Sequence, residues 1–432
     1  MKQLEGKIEM KKYVLELLNN YCSVLKEKNN NIRFAYFEKN YRQQSRELLK
    51  TYNGIKLVLI EFHAFGECIP RLYTLYQDID KEKKLLYVVL PYFNNNFKGE
   101  LPNKRIFDLF GENIYFIKNE NILFWKFFIT NYFEQIDMSD FTAYVERRVG
   151  AYEIQVGKNE VILPEKLERE GREKAQKLGI EDNFICLHVR DKGITRDWLN
   201  KVESGIREAD IDSYIKMSEI LRKQQIMSVR MGKFEVNRIE AESIFDYTFK
   251  GHDDLLDFYL LSRCKFVVGT NSGLSAVAPF FGNPVLITNS AIFVVLYESL
   301  PFTKYDRYIP KKFYSVIKGK YLNLEEILNM DNFCMNYETN YRVNGIVWED
   351  NTEEEIAEAA LEMNSRIDGT WVVTEEEEKC MAKYYMIMNE WKRKHKSVNA
   401  RRKLRWRGYT MIQIPISYSY LKKNMYLLEG AE

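Results

Sequence analysis

The sequence predicts an α/β protein of two doubly wound parallel-sheet domains, with helical N- and C-terminal extensions. Three observations carry this. The chain has 432 residues, more than one hydrophobic core ordinarily serves. Its apolar runs are short and near-continuous, as in KLVLIEF (Lys56–Phe62) and KLLYVVL (Lys84–Leu90). Runs of that kind suit parallel strands covered on both faces. Helical stretches stand between them at the spacing of strand–helix–strand units.

The elements follow in order. A helix is expected over Lys7–Lys28, ending in Asn29-Asn30-Asn31. The strand Lys56–Phe62 leads through His63–Glu67 into a helix, Cys68–Gln77. The strand Lys84–Leu90 is stopped by Pro91, and Ile114–Ile117 is a further strand. Ile122–Phe133 is apolar and aromatic enough to be buried. Ser139–Gly179 is the inter-domain passage and contains the charged helix Glu165–Leu178.

The second domain alternates more clearly. Strands are expected at Phe184–Val189, Ile226–Arg230, Lys265–Val268 and Pro284–Thr288. Helices are expected at Asp212–Gln224, Leu255–Arg263 and Gly273–Phe281. After about Lys320 the chain turns helical and charged, with helices at Glu353–Met363 and Glu375–Lys396. The boundaries are drawn at 1–165, 166–345 and 346–432, the last a helical extension with a basic patch.

Composition bounds the function. Hydrophobic residues at 46% and charged residues at 29% mark an ordinary globular chain. A net charge of +2 supplies no global field for nucleic acid, and no nucleic-acid partner is expected. The six cysteines include no C-x-x-C pair, so neither a zinc site nor a disulfide framework is indicated. Met1–Lys12 lacks the apolar core of a signal peptide, and no apolar run is long enough to span a membrane. A cytoplasmic location is the expectation. The aromatic share, 14%, suits sugar stacking, yet composition places no site.

Two motifs emerge at strand ends, where open parallel sheets bind ligands. Gly269-Thr270-Asn271-Ser272-Gly273-Leu274-Ser275 follows one strand and opens the expected helix. Glycines permit close approach to an anion, the hydroxyls donate, and a helix N-terminus favours phosphate. A plain strand–turn–helix junction with an N-cap would use the same residue types. The spacing matches neither a dinucleotide fingerprint nor a P-loop. His188-Val189-Arg190-Asp191 ends a second strand. Arg190 can pair bidentately with a diphosphate and stabilise the charge that grows on it as it leaves. His188 is placed to orient the donor.

Further candidates lie at the same edge. Arg207 and Asp210 precede a helix that Asp210 or Asp212 would cap. Arg230 is a second diphosphate candidate beside Lys233, and Asp246 with Tyr247 is a nucleoside contact. In the first domain His63 or Glu67 is the candidate general base, with Glu61 a weaker one. The run Lys392–Arg407 holds nine Lys and Arg and suits an anionic membrane surface, a solvated face or nucleic acid.

The stretch ICLHVRD … READIDSY … VRMGK … DFYLLSRCKFVVGTNSGLSAVAPFFGNPVLITN resembles a family of bacterial glycosyltransferases encoded in surface-polysaccharide loci. The resemblance covers Phe184–Asn289 and extends to the terminal QIPISYSYLKKNMYLL. The H-x-R strand end is similar at a distance to that of α-fucosyltransferases, and the Ser/Gly turn to that of heptosyltransferases. Asp191 stands where the fucosyltransferase pattern has another basic residue, which weakens the link to GDP-fucose.

The resemblance implies a GT-B fold, two Rossmann-like domains facing across a cleft, with no metal and no cofactor. The donor would be a nucleoside-diphosphate sugar, held by His188, Arg190, Thr270, Asn271, Ser272, Gly273 and Ser275. The first domain would take a glycan, lipid-linked or protein acceptor, in bacterial surface-glycan assembly. A sugar-nucleotide epimerase or phosphorylase on the same scaffold is one rival, and a non-catalytic assembly protein is another.

Overall fold

The structure is a computed structural model. It describes residues 9, 11–19, 34–61, 72, 75, 84–92, 103, 105–109, 114–117, 121–137, 161–191, 205–232, 237–275, 277–290, 303–330, 341–394 and 414–430. The chain divides into two compact units, Met1–Ala151 and Tyr152–Glu432.

The first unit holds helix α1 (Phe34–Thr51) and strands β1 (Gly54–Glu61), β2 (Leu85–Tyr92), β3 (Ile114–Phe116) and β4 (Ile136–Asp137), with helix α2 (Ile122–Tyr132) before β4. The strands form one parallel sheet in the order β3-β2-β1-β4. Ile55, Leu57, Leu59, Leu86, Val88 and Leu90 pack on α2, whose buried residues Ile122, Phe124, Trp125, Phe128 and Ile129 recur at helical spacing. Val58, Tyr87 and Val89 point to the other face and are buried too, which is why both strands read as continuous apolar runs.

Pro91 does not stop β2. The strand continues to Tyr92 and pairs Pro91 with Ile60 of β1. The carbonyl of Val89 accepts from the Ile117 N–H on the β3 side. By alternation position 91 faces that side as well, so its missing N–H ends the β2–β3 ladder and leaves the β1–β2 pairing intact.

The second unit is a six-stranded parallel sheet with a smaller antiparallel one. It begins with α3 (Glu165–Leu178), then β5 (Phe184–His188), α4 (Ile215–Lys223), β6 (Met227–Arg230), β7 (Ile244–Asp246), α5 (Asp254–Arg263), β8 (Val267–Gly269), β9 (Val285–Ser290) and β10 (Arg307–Pro310). The strand order is β10-β9-β8-β5-β6-β7. The chain builds outward from β5 through β6 and β7, then returns to the other side of β5 with β8. That is the order of Rossmann sheets, with its switch point between β5 and β8. Helix α3 packs on α5 so closely that a Cβ on Gly171 would come within 2.5 Å of Tyr259.

Two expectations change in this unit. Residues 273–275 and 277 form turns, not an α-helix, and a short 3-10 segment, Ala278–Phe281, follows. Pro279 supplies no N–H there, and the Ser272 and Ser275 side chains take backbone bonds a helix would need. Second, the chain near Lys320 is not wholly helical. Strands β11 (Lys312–Ser315), β12 (Lys320–Tyr321) and β13 (Ile346–Glu349) form an antiparallel sheet in the order β12-β11-β13. Helix α6 (Leu324–Leu328) lies between β12 and β13 in the chain. Strands of two to four residues are too short to register as a period.

Residues 346–394 and 414–430 pack into this unit. Helix α7 (Glu353–Ile367), started by a Thr352–Glu355 capping box, packs on α4. Helix α8 (Glu375–Lys394) and the tail helix α9 (Tyr418–Lys423) follow. The tail lies along β10, with Ser417 N–H bonded to Tyr308 O. Buried Glu362 of α7 accepts from the backbone N–H of Tyr418 and Ser419 and from the Ser417 hydroxyl, and Arg366 also bonds it.

Candidate functional site at the switch point of the second sheet

β5 and β8 are paired in register, His188 beside Gly269, so both motifs leave the sheet together at its carboxyl edge. The approach of the two backbones is close. A Cβ on Gly269 would lie 1.7 Å from the carbonyl oxygen of His188, so only glycine fits. The N–H of Thr270 donates to that same oxygen. The Thr270 hydroxyl, fully buried, accepts from the N–H of Arg190 at 3.0 Å. The carbonyl of Arg190 in turn accepts from Ala209. Arg190 is thereby held by its backbone between β8 and the segment that carries Arg207 and Asp210.

His188 is buried, and its Nδ1 lies 2.9 Å from the carbonyl of Met231. A carbonyl only accepts, so Nδ1 carries the proton, and in the neutral ring Nε2 keeps the lone pair. The loop 270–275 is closed by its own hydroxyls. Ser275 Oγ accepts from the N–H of Ser272 and bonds the carbonyls of Thr270 and Ser272. Ser272 and Ser275 are therefore buried braces of the loop, not donors pointing outward. The amides of Asn271, Gly273 and Leu274 take no acceptor among the described residues. These three residues are half-buried, and Arg207 donates to the carbonyl of Asn271 at 3.0 Å. A tight loop with unused amides beside Arg207 has the donors to hold an anion without a helix.

Arg230, Asp191 and Asp246 turn out to serve each other. The Arg230 side chain has no exposed surface and lies 2.7 Å from Asp191 and 2.9 Å from Asp246. It also donates to the carbonyl of Asn237 at 2.6 Å. One guanidinium against two carboxylates has no surplus positive charge for a diphosphate, so Arg230 is not the second diphosphate ligand. Asp191 is fully buried as its counter-ion and does not face a substrate. Asp246, register partner of Arg230 across β6 and β7, is tied to the same group. Tyr247, its expected companion at the nucleoside, is buried and bonds the backbone of Asp253. Asp210 is exposed and caps the 3-10 turn Ile211–Tyr214 by accepting from the N–H of Asp212. His63, Glu67 and Lys233, like residues 395–407 of the basic run, lie outside the described residues.

The sequence left one group unremarked. Thr288, Asn289 and Ser290 end β9 at the same edge and are buried. The hydroxyls of Thr288 and Tyr214 are 2.5 Å apart, and Asn289 donates to Tyr214 at 3.2 Å. Burial pushes the Tyr214 hydroxyl up to about 12, so it remains a neutral donor. Asn289 and Asn351 exchange backbone and side-chain bonds at 2.6 and 2.7 Å, which fastens the edge to the start of α7. The signal was present in the polar run ITNS directly after apolar residues. Among the described residues, His252, Asp254 and Asp257 bring possible metal-ligand atoms within 4.8 Å of one another. His252 Nε2 already bonds Asp257 at 2.9 Å.

No known family profile matches the chain, and no curated protein sequence does. Solved structures similar to it include a glycosyl transferase family 9 protein from Veillonella parvula, at 10% identity. That likeness covers 72% of this chain and 97% of the other, with a TM-score of 0.37. ADP-heptose LPS heptosyltransferase II of E. coli is similar at 11% identity, over 59% of this chain and 90% of the other, with a TM-score of 0.35. A second E. coli heptosyltransferase, with ADP, is similar at 10% identity over the same shares, with a TM-score of 0.29.

Proposed function

We propose that this chain is a glycosyltransferase that binds a nucleoside-diphosphate sugar at the β5–β8 switch point. The observation that carries the reading is the junction of the two strand ends. There Arg190 is clamped against Thr270, beside a loop whose Asn271, Gly273 and Leu274 amides are unspent. Arg207, bonded to that loop, adds a second cation.

In the proposed reaction an acceptor hydroxyl attacks the anomeric carbon and the bond to the diphosphate oxygen breaks. Negative charge grows on the leaving diphosphate. Arg190, its backbone fixed by Thr270 and Ala209, and the loop amides stabilise that charge, and no divalent metal is required for it. The hydroxyl proton passes to a base, for which His63 and Glu67 are the candidates. A glycan, lipid-linked or protein acceptor in bacterial surface-glycan assembly fits the resemblance, in a cytoplasmic protein.

Titration calorimetry with ADP, GDP, UDP and CMP, followed by turnover of the matching sugar nucleotides, tests this. A nucleoside diphosphate is expected to bind. Arg190→Ala is expected to lower kcat by about 10²–10³-fold, the usual effect of removing one such donor. If no nucleotide binds, or the variant turns over like the parent, the proposal is wrong.

A further inference from the structure

The small antiparallel sheet of the second unit exposes apolar side chains where nothing in its own fold needs them. In β11, Phe313 and Ser315 are buried, with their cross-strand partners Trp348 and Ile346 on the same face. The opposite face carries Tyr314 between Val347 of β13 and Tyr321 of β12. Val347 and Tyr321 are exposed.

At one end of this sheet two turns lie side by side. The turn after β11 bears Val316 and Ile317, 61% and 79% exposed. The turn before β13 bears Val343, 79% exposed. Val316 N–H donates to the carbonyl of Gly345. Ile317 lies over Gly345, where a Cβ would come within 2.9 Å of it. The three aliphatic tips therefore sit on two adjoining turns, not scattered over the surface.

Around the patch cations outnumber acids. Val316–Tyr321 reads VIKGKY and Arg342–Gly345 reads RVNG, three cations and no acid. Lys318 and Lys320 are both half exposed, and they share a single carboxylate, Glu326, at 2.9 and 3.0 Å. Aliphatic tips bordered by an excess of cations, with tyrosines behind them, match the boundary of an anionic bilayer. The tips enter the acyl edge, the tyrosines sit at headgroup level, and the cations meet lipid phosphates.

We propose that the 316–317 and 343 turns form a peripheral docking surface for an anionic lipid bilayer. This surface is separate from the switch-point site and does not depend on what binds there.

The test is co-sedimentation of the full chain with phosphatidylcholine vesicles, with and without about one third phosphatidylserine. Binding is expected to the anionic vesicles alone and to weaken as salt rises. The triple variant Val316→Ser, Ile317→Ser, Val343→Ser is expected to lose at least about ten-fold in partitioning. Lys318→Ala should lose about five-fold. Ile317→Leu should bind like the parent. The side chains are exposed, so the triple variant should keep the parent's thermal unfolding, which separates lost docking from lost folding. Failure of the parent to bind anionic vesicles would overturn the proposal, as a partner protein on this face would produce. So would undiminished binding by the folded triple variant.

Discussion

Arg190 and Arg230 stand at the ends of neighbouring strands and carry the same chemistry, yet the fold uses them differently. Arg190 is fixed through its backbone, its N–H on Thr270 and its carbonyl on Ala209. Arg230 is fixed through its guanidinium, held between Asp191 and Asp246. Their separation was half legible in the sequence. Asp191 beside Arg190 weakened the fucosyltransferase likeness, but its real partner lies one strand away and 39 residues later. Arg230→Ala is expected to cost about 3–5 kcal/mol of stability, because two carboxylates would be left buried without their cation. Chemical denaturation measures it. An Arg230→Ala protein of parental stability that has lost only nucleotide affinity would return Arg230 to the ligand site.

At the scale of the element, the β8 turn joins two strand ends, and its glycine is there for space. Gly269→Ala would drive a Cβ into the carbonyl of His188, so β5 and β8 must part at the site. A loss of about 3 kcal/mol or more is expected, together with loss of nucleotide binding. A stable Gly269→Ala protein that still binds nucleotide would show that the junction is not what shapes the site. The following segment was the misread element. Its apolar residues suit a helix, but Pro279 and the Ser272–Ser275 bracing break the pattern. The phosphate argument therefore passes from a helix dipole to loop amides. Strands β5, β8 and the first half of β9 were legible because each is buried on both faces and reads as an apolar run. Strands β11 to β13 were not, since short strands with one solvent face leave few residues to alternate.

For the second unit as a whole, stability carries a pH signature from Asp306. This carboxyl is buried between the start of β9 and the Thr303 turn. Burial outweighs the three donors it accepts, from Val285 and Thr303, and pushes it up to about 7. The folded state therefore holds this proton between its ordinary 3.8 and about 7, while the unfolded chain has released it. Stability is fullest below that window and falls as pH rises through it, by on the order of 4 kcal/mol. Asp306→Asn should flatten that part of the profile in denaturant titrations at stepped pH. An unchanged profile would mean that Asp306 is ionised in the fold.

The sequence by itself determined the α/β class, strands β5, β6, β8 and β9 with helices α4 and α5 between them, and the two polar strand ends that carry the candidate site. Periodicity and apolar runs are local properties, and local properties can be read in order along a chain. Only the tertiary structure decided that β8 returns beside β5, making the switch point where His188, Arg190 and Thr270 meet. It also decided that Arg230 is neutralised in the interior and that the tail is tied to α7 through Glu362. These are contacts across tens of residues, set by which strands pair and which charges lose water together. No local pattern records such pairings.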